Sequence, residues 1–515
     1  MKKIFYTIFT SAIAAIVFSS CSKKIVERNA EFPALDAVKS DTNAGSWKPI
    51  LLTGPTEFVV AAPAATNSPA YIAELNEIKS WQKSLTDAQK NSIHYWSAGG
   101  VLRWNEIMRE LVARRNIPAV QNTDGSYPFP SAANPFAYPI FPFSNPPYAA
   151  RAYAYVSAAQ YDALVAANYY KKLYNRKAPY KIDNTITALV PQNDEGSYPS
   201  EDAAVIGVTV ELLKLLFPAD LAYIQQKADE HRLYRIMAGA NVRSDMEAGE
   251  LLGRAVAQKF TARARTDRAG AAIGTATLWA QLENQTAAAG QMPWVSQESP
   301  KRPPMLPLFG KVKTFLFDSL MLLSIRPPAP PSTSSPEFKA EADEVLYYSK
   351  NYDRNRIAIV HFWADGVNTY TPPGHWNAIA AEDFVKERFS EVRWARNMAL
   401  LNMSLMDAAI ACWDTKYTYF NPRPSQFNPD IKTWTGLPNF PSYTSGHSTF
   451  SGAAATILSH ILPSRASAYD AMAKEASLSR LYGAIHYRSD CDAGLACGQR
   501  VGAFAVRRAT TDGAE

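Results

Sequence analysis

The sequence predicts an all-α protein, and three observations carry that prediction. Apolar residues recur at helical spacing through most of the chain, several such runs open on N-capping residues, and the period-two alternation of strands is scarce. Composition agrees with a folded chain: of 515 residues, 47% are hydrophobic, 12% aromatic and 19% charged. That balance excludes a disordered chain and allows a large buried core. The formal net charge of +6 is slight and has no Lys/Arg tract behind it past the first residues, so no nucleic-acid partner is expected.

Residues 1–21 are read as a targeting segment. Lys2-Lys3 precede an apolar stretch over 4–18 that is too short to span a bilayer, and Ser19-Ser20-Cys21 comes next. This resembles a bacterial lipoprotein signal, although Phe18 is bulkier than that pattern favours. It implies lipidation of Cys21 and a location in the cell envelope, periplasmic or associated with the outer membrane, with the chain tethered at its N-terminus. No later apolar run is long enough for a membrane span.

Residues 22–66, polar and punctuated by proline, are expected to be a flexible tether. An N-terminal helical half comes after it over 67–325, with Thr86-x-x-Gln89 and Ser244-x-x-Glu247 as capping boxes and helices over 149–173, 203–217, 220–238 and 245–265. A proline and aromatic loop over 128–147 interrupts it. A Pro/Ser linker over 326–336 is expected to separate this half from a C-terminal bundle over 337–515, with helices over 336–349, 382–416, 447–461, 466–484 and 490–509. No internal repeat is evident. Besides Cys21, the cysteines Cys412, Cys491 and Cys497 form neither a metal pattern nor a disulfide framework, though Cys412 and Cys491 could meet as a pair.

The chemistry concentrates in three segments of the C-terminal bundle. They are Lys416-x6-Arg423-Pro424, Ser445-Gly446-His447, and Ser479-Arg480-x5-His486-x3-Asp490. A lysine, two arginines, a hydroxyl and two histidines suit the holding of a tetrahedral or trigonal-bipyramidal oxyanion while a histidine acts on its centre. Each part alone has an ordinary explanation. Lys416 would be a surface side chain, Ser445 an N-cap, Arg480 a salt bridge, and Asp490 one end of an i,i+4 pair. Together they point elsewhere. Prolines flanking Arg423 keep it out of a helix and aim its guanidinium. Ser445-Gly446-His447 opens a small apolar helix whose N-terminus attracts anions. Asp490, taken to share a helix face with His486, would accept its Nδ1–H and leave Nε2 free. His94, His231 and His460 are read as surface or packed residues. His361 and His375, in an aromatic loop-rich stretch, are candidates for the pocket wall.

These segments resemble the superfamily shared by type 2 phosphatidic acid phosphatases, bacterial class A acid phosphatases and vanadium-dependent haloperoxidases. The resemblance implies helical bundles with the anion site in the C-terminal one. It implies that His486 attacks phosphorus or ligates vanadate, and that Lys416, Arg423, Ser445, Gly446 and Arg480 hold the equatorial oxygens. His447 would be the general acid/base. The haloperoxidase branch is favoured by the chain length, by Trp413 three residues before Lys416, and by Phe440 seven before His447, which match residues beside the vanadate and the halide. In that branch the cofactor is vanadate and the partners are small molecules, a halide and hydrogen peroxide. Lys416 would polarise the bound peroxide. The phosphatase alternative needs no cofactor and takes a phosphate ester. Thr444 departs from the proline usual at its position.

Overall fold

The computed structural model describes residues 32–116, 145–299 and 301–514. Among the described residues there are helices and no strand, as the periodicity predicts. None of these helices is long and apolar enough to cross a membrane. The signal segment with Cys21, and nearly all of the 128–147 loop, lie outside the described residues.

Two helices of equal length, Pro146–Tyr174 and Glu391–Tyr419, pack against each other at the centre. Both are Ala-rich and buried over most of their length, so their backbones approach closely. Each ends on a residue with positive φ, Asn175 (44°) and Phe420 (48°), which turns the chain out of the helix.

These two helices open the two copies of an internal repeat, which the sequence reading missed. Six elements recur at one constant separation of 245 residues: Pro146–Tyr174 and Glu391–Tyr419, Pro179–Ile182 and Pro424–Phe427, Glu201–Leu216 and Gly446–Ile461, the 3₁₀ turns Pro218–Asp220 and Pro463–Arg465, Leu221–Met237 and Ala466–Tyr482, and Arg243–Thr266 and Arg488–Ala509. Their packing repeats as well. Helix 446–461 lies so close to helix 488–509 that a Cβ on Gly498 would stand 2.1 Å from the carbonyl oxygen of Thr449. In the first copy a Cβ on Gly253 would stand 2.2 Å from that of Ala204. Substitution at either glycine would push its helix pair apart.

Several expectations are corrected. The segment read as a tether is packed from residue 44 onward. Trp47 and Leu52 are buried, and the amides of Ile50 and Leu51 donate to the Asp162 carboxylate at 2.5 and 2.7 Å. Asp407, at the same place in the second copy, accepts from Phe315 and Leu316. Residues 44–52 thus seal the first bundle as 309–316 seal the second. The 326–336 segment does not hold two cores apart: one buried cluster includes residues of both halves, and Tyr419 and Tyr443 donate to the carbonyls of Pro327 and Pro328. The helix expected over 382–416 is two helices, Thr371–Glu387 and Glu391–Tyr419, broken at Arg388 (φ 50°) and restarted by the Ser390 N-cap. The Thr86 capping box forms, but Ser244 caps nothing. Its hydroxyl donates to Glu74, and Asp245 caps the helix start through the amide of Val242.

Candidate active site

Helices 391–419, 446–461 and 466–482, the turn at 485–486 and loops over 364–367 and 435–440 contribute to the wall of a cavity of about 610 Å³. Its described lining includes Trp413, Phe440, Gly446, His447, Arg480 and His486. The three sequence segments therefore converge.

His486 does not lie on a helix. It stands in the turn after Tyr482, beyond Ala484 (φ 57°), and Asp490 sits in the first turn of the next helix. The expected bond forms nonetheless: His486 Nδ1–H donates to Asp490 Oδ2 at 2.8 Å. The same oxygen accepts the Tyr487 amide at 3.0 Å and the Ser442 hydroxyl. The carboxylate caps its helix and orients the imidazole at once. Burial pushes Asp490 up to about 6, which still leaves it ionised at neutral pH. Burial, with Arg423, Lys416 and Arg480 nearby, pushes His486 well below its ordinary value. The ring is thus neutral, with its Nε2 unprotonated.

Arg423 donates from Nη1 to that Nε2 at 3.0 Å and to the Ile485 carbonyl at 2.9 Å, and from Nε to the Phe440 carbonyl. Its Nη2 is buried without a hydrogen-bond partner among the described residues. Arg480 is buried, held by Ser479 Oγ through Nε and by the Val360 carbonyl through Nη2. Burial lowers both guanidinium groups to about 10, so both stay charged. Ser445 is the N-cap of helix 446–461: its Oγ accepts the Ser448 amide and keeps a proton to donate. A Cβ on Gly446 would meet nothing nearer than Phe450 at 3.9 Å and Trp413 at 4.0 Å. The glycine therefore keeps the cavity clear rather than relieving a contact within the protein.

Lys416 differs from expectation. Its ammonium donates to the carbonyls of Pro441 (2.8 Å), Ser442 (2.9 Å) and Thr444. All three donors are engaged by the loop that leads into Ser445. Burial, aided by Arg423, pushes its pKa down to about 7. Here the lysine fixes the anion loop, and contact with an oxyanion would require it to release a carbonyl. Trp413 and Phe440 both line the cavity, ring centroids 5.0 Å apart, with Trp413 Nε1 donating to the Met305 carbonyl. The Phe440 ring lies 4.9 Å from both Lys416 Nζ and the Arg423 guanidinium. The Tyr443–Thr444 peptide is cis. Cys412 and Cys491 are not a disulfide: Cys412 Sγ contacts Thr444, and Cys491 Sγ donates to the Ser477 carbonyl.

The sequence reading missed Asp365. Its Oδ2 lies 3.6 Å from His447 Nε2, and neither atom has a hydrogen-bond partner among the described residues. Its Oδ1 accepts His375 Nδ1–H at 3.0 Å, which places His375 behind the wall, while His361 is exposed and does not line the cavity. Burial works to raise Asp365, but His375 and His447 hold it well below the usual carboxylate range. Burial and Arg480 push His447 down to about 4, so its ring is neutral at pH 7. No spacing motif announces Asp365. The only signal is an acid between Trp363 and Gly366 in the stretch that had drawn attention to His375.

Residues 397–513 match the family model of the PAP2 superfamily. That match spans the region carrying all three segments. Among solved structures, the chain resembles a bacterial vanadium-dependent iodoperoxidase, with a TM-score of 0.58 and 22% identity over 79% of this chain and 95% of that one. It also resembles the apo and holo forms of a bacterial vanadium-dependent chloroperoxidase, each with a TM-score of 0.49, at 14% and 13% identity over 70% and 71% of this chain and 92% of theirs. No curated protein matches the chain.

Proposed function

We propose that this protein is a vanadate-dependent haloperoxidase that oxidises a halide with hydrogen peroxide in the His486 cavity. The observation that carries the reading is a neutral imidazole that lines, with Arg480, a cavity walled by Trp413 and Phe440, its tautomer fixed by Asp490 and its Nε2 in contact with Arg423. The residues fit a tetrahedral oxyanion with a fifth ligand. Among the described residues Arg423 Nη2 lacks a hydrogen-bond partner, Ser445 has a proton to give, Gly446 leaves room, and His486 Nε2 is unprotonated and engaged only by Arg423, whose N–H groups a bound oxyanion would share. Bound vanadate would supply a Lewis-acidic centre that activates peroxide towards a halide. His486 would hold it at Nε2. Arg423 and Arg480, both buried, would offset its negative charge. Neutral His447 would take a proton from a peroxide oxygen, and Asp365 would stabilise the resulting imidazolium through Nε2–H. The aromatic wall offers a polarisable halide an apolar surface.

The His447–Asp365 pair also favours a second reading, a phosphatase. His486 Nε2 would attack phosphorus, His447, protonated in acid, would give its proton to the leaving alcohol oxygen as the P–O bond breaks, and water would then hydrolyse the phosphohistidine, so this reading calls for an acidic optimum. Purified protein incubated with orthovanadate should form triiodide from iodide and peroxide, and His486→Ala should abolish it. Hydrolysis of p-nitrophenyl phosphate, inhibited by vanadate and without iodide oxidation, would replace the first reading by the second. Lipidation at Cys21 would tether the enzyme in the cell envelope. Incorporation of labelled palmitate that survives Cys21→Ser would refute that.

A further inference from the structure

The repeat predicts a second place in the molecule built like the oxyanion site, and there is a cavity there. It has a volume of about 150 Å³, and its lining includes Lys171, Glu195, Glu201, Asp202, Arg235 and Asn241. Each of these stands 245 positions before a member of the C-terminal site. Lys171 answers to Lys416 and Arg235 to Arg480. Glu195 answers to Phe440, Glu201 to Gly446, Asp202 to His447 and Asn241 to His486.

The frame is kept. The Ser200 amide donates to the Asp245 carbonyl at 2.9 Å, as Ser445 does to Asp490 at 2.9 Å. Asp245 accepts the amide of Val242 at 2.9 Å, as Asp490 accepts that of Tyr487. Ser197 donates to the Asp245 carboxylate as Ser442 does to Asp490.

The chemistry is changed. Both histidines are gone, and Ala178 stands at the place of Arg423. Lys171 Nζ pairs with Glu195 and Glu201, each at 2.6 Å. Arg235 Nε lies 3.2 Å from Asp202 Oδ2 and donates to Asn241 Oδ1 at 2.7 Å. Where Gly446 leaves open space, Glu201 projects a carboxylate. Burial opposes the charge of both lysines, but the two glutamates hold Lys171 above its ordinary value, whereas burial pushes Lys416 down to about 7.

We infer that the N-terminal cavity is a second oxyanion site that the chain fills with its own carboxylates, Glu201 taking the place of the bound anion. It is a structural ion cluster without chemistry, and the whole chain binds one oxyanion, not two. The inference takes only the nature of the anion from the function proposed above.

The test uses the full chain and equilibrium dialysis with orthovanadate and with inorganic phosphate. Wild type should bind one equivalent. Glu201→Gly, which restores the glycine of the other copy, should bind two, and its melting temperature should rise with phosphate by several degrees more than that of wild type. Lys171→Ala in the Glu201→Gly background should remove the second equivalent, and His486→Ala should remove only the first. Should Glu201→Gly not fold, Glu201→Ala also removes the carboxylate and vacates its place while favouring the helix, and the same gain is expected. A folded variant of either kind that still binds one equivalent overturns the inference, as does wild type binding two. Failure of the proposed function would look different: wild type would bind none, while Glu201→Gly would still gain one.

Discussion

His486 and Asp490 are joined by a 2.8 Å hydrogen bond across the start of a helix, the imidazole in the connecting turn and the carboxylate in the first turn of the helix. Because Asp490 also caps that helix through the Tyr487 amide, the bond that orients the imidazole is tied to the local fold.

Asp490→Asn keeps an oxygen for the Tyr487 amide but removes the charge that fixes the Nδ1–H tautomer. The expected result is a fall of about 10–100-fold in kcat with little change in melting temperature, as for other residues that orient a ligating histidine. Steady-state kinetics and thermal unfolding on the same preparation check both halves.

Lys416 and Arg480 should separate in their effects. Arg480→Ala removes a guanidinium from the cavity wall and should lower kcat by about 10²-fold or more. Lys416→Met leaves three buried carbonyls without their donor. It should therefore cost about 2–4 kcal/mol of stability, since an orphaned buried acceptor costs about 1–3 kcal/mol. Urea unfolding of the two variants measures the difference.

Gly446→Ala should damage binding without damaging the fold. Its Cβ would enter the cavity rather than strike the protein, and alanine in a helix is worth about 0.5–1 kcal/mol over glycine. The variant should melt at or above the wild-type temperature and bind vanadate at least about tenfold more weakly, one displaced contact being worth about 1.4 kcal/mol or more. Equilibrium dialysis checks the affinity.

The pH dependence of stability has a definite sign at His447. Its pKa falls from an unfolded value near 6.5 to about 4 in the folded protein. Between those values the unfolded chain takes up a proton that the folded one refuses. The stabilisation is therefore complete above about pH 6.5 and is lost as pH falls towards 4, by about 3 kcal/mol in all. His486 acts in the same direction. Asp490, raised to about 6, acts in the opposite one, its burden easing as it protonates. Melting curves from pH 7 to 4 should accordingly fall less steeply for His447→Gln than for wild type.

Most of this site was legible because oxyanion chemistry needs particular side chains, and those stand close together in the sequence around helix ends. Arg423, Ser445, Gly446, Arg480 and His486 could be read from such local signals. Asp365 could not, since its role arises from a loop with three left-handed residues, Asp365, Asn368 and Thr371, that tertiary contacts bring to His447. The committed donors of Lys416 were likewise invisible, being set by carbonyls of a distant loop. The break at Arg388 escaped because neither glycine nor proline marks it. The repeat was present in the letters, as Arg-Ser-Asp at 243–245 and 488–490. It was overlooked because the residues that carry chemistry in the second copy are the ones exchanged in the first.

The most direct test is a crystal structure of the protein soaked with orthovanadate. The account predicts continuous density between vanadium and His486 Nε2, with Arg423, Arg480, Ser445 and the Gly446 amide on the oxygens and His447 beside an apical one. Vanadate bound elsewhere, or held in this cavity without a bond to His486, would contradict it.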